Sequence, residues 1–334
     1  MPTFLEQVYE KARKNPKQVV LQEGDDERSI EAASVATNKG IAKITLIGAP
    51  EQIRQIAAAK SLPLDGVEIL DKSNLPHLDD YARELHELRK HKGLTEQAAF
   101  ELIQQPLWYG AMMVRKGAVD AFVTGAVHST ADVCRVSIQV VGLKPGIKTL
   151  SSCFAMVLPN STYGKDGVLF FADCAVVIDP DPRQLADIAI STADSFRQLM
   201  GEEPRVAMLS LSTKGSATHA RIDKVLGALA HVKQRAPGLE VDGELQLDAA
   251  LVPHVGLKKA PGSPVAGQAN VLIFPDLDAG NIGYKLTERL AGAEAIGPFL
   301  QGTAKPCCDL SRGCKTADIV NSIAVNVVRF QQVN

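Results

Sequence analysis

The sequence predicts an α/β fold of two α/β/α domains, each with a mostly parallel sheet, and a cleft between them. Three observations carry that prediction. The chain has 334 residues, more than a single hydrophobic core comfortably serves. Short apolar, β-branched runs alternate with helical patterns over nearly its whole length, which is the rhythm of βαβ units. A Gly/Pro-rich joint, GLKPGIKT at 142–149, divides them, so that 1–147 with 305–334 form a first, discontinuous domain and 148–304 a second.

The elements follow in order. MPTFLEQVYEKARKNPKQ has no apolar central stretch and reads as an amphipathic helix rather than a leader. KQVVLQ is a strand, and EGDDERSIEAASVATNKG a helix closed by Gly40. KITLIG is the next strand. GAVDAFVTGAVHSTADVCRVSIQVVG repeats the pattern, with the turn TGAVHST between strand and helix and Ser129 and Asp132 at capping-box spacing. Past the joint come LSSCFAMVLP and GVLFFADCAVV, then a helix from Pro182 to Met200. PRVAMLSLSTKGSATHARIDKVLGAL reads as strand, Gly/Ser turn and helix, and ANVLIFPDLDAGNIGYKLTERLAG repeats that grammar. The last helix, Thr316 to Phe330, is expected to return to the first domain.

Composition narrows the function. Hydrophobic residues at 46% with aromatics at 5% suit an α/β enzyme rather than a disordered or fibrous chain. A formal net charge of -2 gives no global basic field, so nucleic acid is not an expected partner. Apolar runs such as VLFF and CAVVI fall far short of the roughly 20 residues a membrane span needs, and a cytoplasmic address is expected. The cysteines at 134, 153, 174, 307, 308 and 314 form no CxxC pair and no spacing with histidine that suggests zinc. No metal site is expected.

Four turns have the composition of ligand-binding loops, which in open parallel sheets lie beyond the carboxyl ends of strands. GAVHSTADVCR offers backbone N–H groups, Ser129 and Thr130 at a helix start, with Arg135 further along, a set suited to phosphate or to plain helix capping. SLSTKGSATHA carries Lys214 among hydroxyls but lacks the spacing of a Walker A loop, which leaves an anion nest or a polar loop. FPDLDAGNIGYKLTER places Asp276 and Asp278 at a strand end, more in keeping with caps than with magnesium, and Arg289 on the following helix. DLSRGCKTAD supplies a bidentate cation in Arg312, a small donor in Ser311 and a carboxylate in Asp318. That carboxylate is either a base or a first-turn partner of the helix dipole, and as a base it needs desolvation to offset the helix N-terminus.

Taken together, EGDDER, TGAVHSTADVCR, FADCAVVIDPDPRQLADIA, VAMLSLSTKGSA, VDGELQLDAAL, GNIGYKLTERLAGAEAIGPFLQGTAKP and DLSRGC resemble, in order and spacing, the phosphate acetyl/butyryl transferase family, from about residue 18 to the C-terminus. The resemblance implies reversible transfer of an acetyl group between acetyl phosphate and CoA, giving acetyl-CoA and inorganic phosphate. No metal or nicotinamide takes part, no cofactor is tightly bound, and CoA is a substrate. It further implies a fold similar to the isocitrate and isopropylmalate dehydrogenases, and a homodimer. Ser311, Arg312 and Asp318 fall on the family's catalytic positions, and Arg89, Arg135 and Arg289 on arginines linked to substrate or CoA binding. The pair Cys307–Cys308 departs from the small or polar residues expected before DLSRG. Direct attack of the CoA thiolate in a ternary complex is favoured over an acetyl-enzyme on Cys174, because a cysteine inside an apolar run is more often packed and inert than nucleophilic. Butyryl transfer and a non-catalytic acetyl-CoA-sensing module are the alternatives. A dinucleotide oxidoreductase is disfavoured, because no GxGxxG follows a strand.

Overall fold

The computed structural model describes residues 3–332. Two compact units divide the chain, Met1–Leu143 with Thr303–Asn334 and Lys144–Gly302.

The first unit holds strands β1 (Lys17–Leu21), β2 (Ala42–Gly48), β3 (Val67–Asp71), β4 (Ala121–Thr124) and, from the returning segment, β11 (Cys307–Asp309). They lie in the order β3-β2-β1-β4-β11, and every pair is parallel. The inner strands are covered on both faces, which is why Val19, Val20, Leu21, Phe122 and Val123 read as unbroken apolar runs and are buried. Cys307 and Cys308 pair with Phe122 and Val123 and are buried too, so their departure from the family pattern is a change of core filling. Helices Glu27–Asn38 and Thr316–Gln331 pack together, and the latter also covers β4.

The second unit contains β5 (Ser151–Val157), β6 (Val168–Ala172), β7 (Arg205–Leu209), β8 (Glu240–Leu245), β9 (Val271–Ile273) and β10 (Glu294–Gln301), in the order β10-β5-β6-β9-β7-β8. The pairs β10–β5 and β5–β6 are antiparallel and the rest parallel. The helix Pro182–Met200 has the bounds its sequence predicts, because Asp181 and Gln184 form a capping box, proline occupies the first turn and Gly201 closes the end at φ 74°. The N-terminal amphipathic helix spans Phe4–Lys14. Among the described residues no helix is long and apolar enough to cross a membrane.

One predicted helix starts late. EGDDER was expected to be helical from Glu23, but the helix begins at Glu27, with the Asp26 side chain accepting from the Arg28 N–H. The stretch 22–26 is thereby left as the turn beyond β1.

Candidate active site

In the first unit the chain builds β1, β2 and β3 outward, then crosses back to place β4 on the other side of β1. The turns leaving β1 and β4 consequently diverge, which makes the end of this strand pair a topological switch point. The turn after β4 presents a run of backbone N–H groups, as its composition predicts, but an internal anion fills the nest. Glu23, with a side chain only 4% exposed, accepts from the N–H groups of Gly125 (3.2 Å), Ala126 (2.8 Å), Val127 (2.9 Å) and His128 (2.8 Å). The His128 ring adds a 2.7 Å contact through Nδ1, which donates to the ionised carboxylate. Burial opposes the Glu23 charge, but the His128 ring and the amides outweigh it and hold its pKa below the usual range. Hydrogen bonding to Glu23 in turn raises the pKa of His128.

Ser129 caps the helix Thr130–Val136, accepting from the Asp132 N–H at 3.2 Å and donating to the Asp132 carboxylate at 2.7 Å. Arg135 is exposed and pairs with Asp132 at 2.6 Å.

Because β11 lies directly beside β4, the loop after β11 and the turn after β4 share one end of the sheet. Ser311 and Arg312 are exposed in that loop, and the Arg312 guanidinium has no partner among the described residues. The loop is held through its backbone. Arg28 donates through Nη1 to the carbonyls of Arg312 (2.9 Å) and Cys314 (3.0 Å) and through Nη2 to that of Ala126 (2.9 Å), while Nε and Nη2 also grip Asp26, so one guanidinium stitches three turns together. Asp318 sits in the first turn of the last helix, where one carboxylate oxygen accepts from the Lys315 N–H at 2.8 Å. Its other oxygen has no partner among the described residues. Asp318 is exposed, so the capping role is met in this structure, whereas the desolvation a base needs is absent from the free chain and has to come from bound substrate. Arg89 ends the helix Leu78–Arg89, which packs against the π-helical segment Ser137–Val141 that continues the helix Thr130–Val136.

Lys214 and Arg289 belong to the second unit. Lys214, expected to be an anion-binding cation, donates to Asp242 (2.5 Å) and to the Gly243 carbonyl (3.0 Å). The turn it occupies repeats the device seen in the first unit, since buried Glu244 from β8 accepts from the Gly215 N–H (2.7 Å) and the Ser212 hydroxyl (2.8 Å). Asp276 accepts from the Ala279 N–H at 3.0 Å and so caps the helix Leu277–Ala291, on which Arg289 is exposed beside Glu288. The switch point of this unit, between β7 and β9, opens into a cavity of about 430 Å³ with Leu209, Leu211, Leu247 and Phe274 in its walls. Cys174 is fully buried, with its thiol raised well above the usual range by desolvation, which leaves it no thiolate for an acyl-enzyme.

Glu23 and Arg28 were missed as site residues. The signal was present in EGDDER, but its partners lie about a hundred residues or more along the chain. Asp309 was missed as well. It is 3% exposed, one of its carboxylate oxygens has no partner, and burial, offset by the Thr130 hydroxyl and reinforced by nearby Glu23, pushes its pKa up to about 6 from 3.8. The folded state thus holds this proton more tightly than the unfolded chain, so the stability from Asp309 is full below pH 4 and is lost as pH rises through 6. Asp309→Asn should therefore gain on the wild type between pH 4 and pH 7, by about 3 kcal/mol at roughly 1.4 kcal/mol per pH unit. Urea unfolding at both pH values checks this, and a constant difference between the two proteins would refute it.

The sequence profile of a family described as "Phosphate acetyl/butaryl transferase" matches residues 3–327. The phosphate acetyltransferase of Acetivibrio thermocellus is 53% identical over 331 residues, covering 99% of this chain and 99% of that protein. A phosphotransacetylase from Streptococcus pyogenes superposes with a TM-score of 0.93 at 37% identity, covering 98% of each chain. A 4-hydroxythreonine-4-phosphate dehydrogenase from Burkholderia phymatum shares the fold alone, with a TM-score of 0.55 at 11% identity over 94% of this chain and 98% of that one. That likeness bears out the expectation of a dehydrogenase-like α/β fold.

Proposed function

The chain belongs to the phosphate acetyl/butyryl transferase family, and on that premise we propose that it catalyses reversible transfer of an acetyl group between acetyl phosphate and CoA. The observation that carries this reading is the full-length likeness to the Acetivibrio thermocellus phosphate acetyltransferase. The open loop at Ser311 and Arg312, with its unpaired guanidinium, supports it.

Chemistry assigns the roles. CoA arrives as a thiol with a pKa of roughly 8.5, and only the thiolate attacks well. The partnerless oxygen of Asp318 takes the thiol proton. As the carbon–sulfur bond forms, negative charge develops on the carbonyl oxygen and the Ser311 hydroxyl donates to it. The carbon–oxygen bond to phosphate then breaks, and Arg312 neutralises the departing anion with its planar fork. Arg89, Arg135 and Arg289, with Ser129, Thr130 and Lys214, are proposed to hold substrate or CoA. For Arg135 and Lys214 this requires exchanging Asp132 and Asp242 for the ligand. No metal and no tightly bound cofactor enter the scheme.

A homodimer is proposed on the family likeness. The helix Leu277–Ala291 supports it, with Ile282, Leu286 and Leu290 at four-residue spacing exposed by 57%, 52% and 81%. A cytoplasmic address is proposed because CoA and acetyl phosphate are anions that do not cross a bilayer unaided.

Thioester formation from acetyl phosphate and CoA with chelator present tests the reading, run beside butyryl phosphate and Asp318→Asn. Fast acetyl transfer is expected, falling about 10²- to 10⁴-fold in the variant. Faster butyryl transfer would reassign the substrate, and acetyl-CoA binding without turnover would leave a sensing module. Light scattering of the same sample should give twice the chain mass, a single chain mass overturning the dimer. Activity confined to a membrane fraction of the source cells would overturn the cytoplasmic address.

A further inference from the structure

The switch point of a parallel sheet, where N–H groups converge beyond two diverging strands, is the ordinary seat of a bound anion. In the first unit that seat is taken by the protein's own Glu23. Its two oxygens divide the donors, one receiving Gly125, Val127 and the backbone and ring of His128, the other receiving Ala126. Every N–H of the turn up to the helix cap is thereby fixed in direction.

We infer that Glu23 is a positioning residue, a resident anion that fixes the turn 125–128, sets the orientation of Ser129 and Thr130, and keeps substrate phosphate out of the nest. The inference rests on the reading of these hydroxyls as substrate contacts. It gives a reason for arginine side chains, and not these backbone N–H groups, to hold the phosphoryl group of an acyl phosphate in this chain, since the backbone site that would suit phosphate is closed.

Charge, and not shape alone, is at stake. Glutamine has nearly the same outline, but its amide NH₂ cannot accept, so at least one donor of the turn would face another donor. The charged surroundings are mixed. His128 faces Glu23 from the β4 side and is itself faced by Asp132, Arg28 faces Glu23 from the β1 side while paired with Asp26, and Asp309 and Cys314 face it from the β11 side. Holding an anion beside Asp309 raises the proton affinity of that acid, a cost a neutral filler would avoid.

The experiment compares Glu23→Gln, Glu23→Asp and Glu23→Ala in acetyl transfer, with sodium formate as the probe anion for the alanine variant. Glu23→Gln should lose kcat on the order of 10- to 100-fold, the scale of a small misplacement of a positioning group, while KM for CoA stays close to wild type. Glu23→Asp should recover part of the loss, and formate should restore Glu23→Ala saturably. Wild-type kcat in the glutamine variant, or a folded alanine variant that formate leaves unchanged, would overturn the inference. If neither variant folds, the His128 ring in the wild-type protein decides, followed by ¹H–¹³C NMR. Titration above the ordinary range supports the resident anion, and titration at the ordinary value overturns it. Absence of acetyl transfer in the wild type would sink the proposed function instead, and the same NMR titration would still test Glu23.

Discussion

Replacing Arg312 with alanine is expected to lower kcat for acetyl transfer about 10²- to 10³-fold, the scale of removing one preorganised partner of transition-state charge. The fold should survive. Nothing in the described structure leans on this guanidinium: the loop is tied by Leu310 N–H to the Thr124 carbonyl at 2.7 Å and by Arg28 to the Arg312 and Cys314 carbonyls, all backbone attachments that alanine keeps. An exposed arginine without an ion pair contributes little to stability, so urea midpoints of variant and wild type should agree within about 0.5 kcal/mol. Lysine at 312 restores charge without the planar fork and should recover only part of the rate. The measurement is kcat and KM for both substrates in both directions. Near-normal turnover in the alanine variant, with an intact fold, would remove Arg312 from the mechanism.

How much of this was legible depended on the range of the interaction. Local devices were readable: the helix Pro182–Met200 was read with its right bounds, which the structure shows to be set locally by Asp181, Gln184 and Gly201, and Ser129 was legible as a cap because its partner is three residues on. Strand β10 was not read, since Gly297 and Pro298 interrupt its pattern and its pairing with β5 shifts register there. β11 is as short as β9, but its Cys-Cys-Asp lacks the β-branched apolar run that made β9 legible. In the turn after β4 the sequence showed correctly that N–H groups gather, but not that Glu23 from the end of β1 fills them. Lys214 illustrates the same gap. A lysine among serines and glycine reads as an anion site, and only the fold brings Asp242 of the neighbouring strand to it. The family resemblance placed Ser311, Arg312 and Asp318 in one segment. The backbone connections that hold this segment against β4 are long-range and needed the structure.

The other large effect is expected at Gly125, where the two loops meet. This residue has φ 103°, and a Cβ added to it would lie 2.5 Å from Asp309 Oδ1, 2.5 Å from the Leu310 nitrogen and 2.6 Å from the Leu310 oxygen. Two of those atoms are backbone of the segment that leads into Ser311, and the third is a buried carboxylate, so no flexible side chain is available to yield. Gly125→Ala should therefore lose about 1–2 kcal/mol from the backbone conformation and a further 1–3 kcal/mol from crowding, and acetyl transfer should fall further than stability because the β11 loop must move. Gly40→Ala separates the two contributions. Gly40 also has positive φ, at 66°, but nothing lies within 4 Å of its added Cβ, and only the conformational loss of about 1–2 kcal/mol should appear, with kcat unchanged. Urea unfolding and kcat of the two variants, measured side by side, decide the matter. Equal losses would mean that the β4 turn and the β11 loop are not packed as tightly as their geometry requires, whereas a deficit confined to Gly125→Ala, larger in kcat than in stability, ties the glycine to the placement of Ser311 and Arg312.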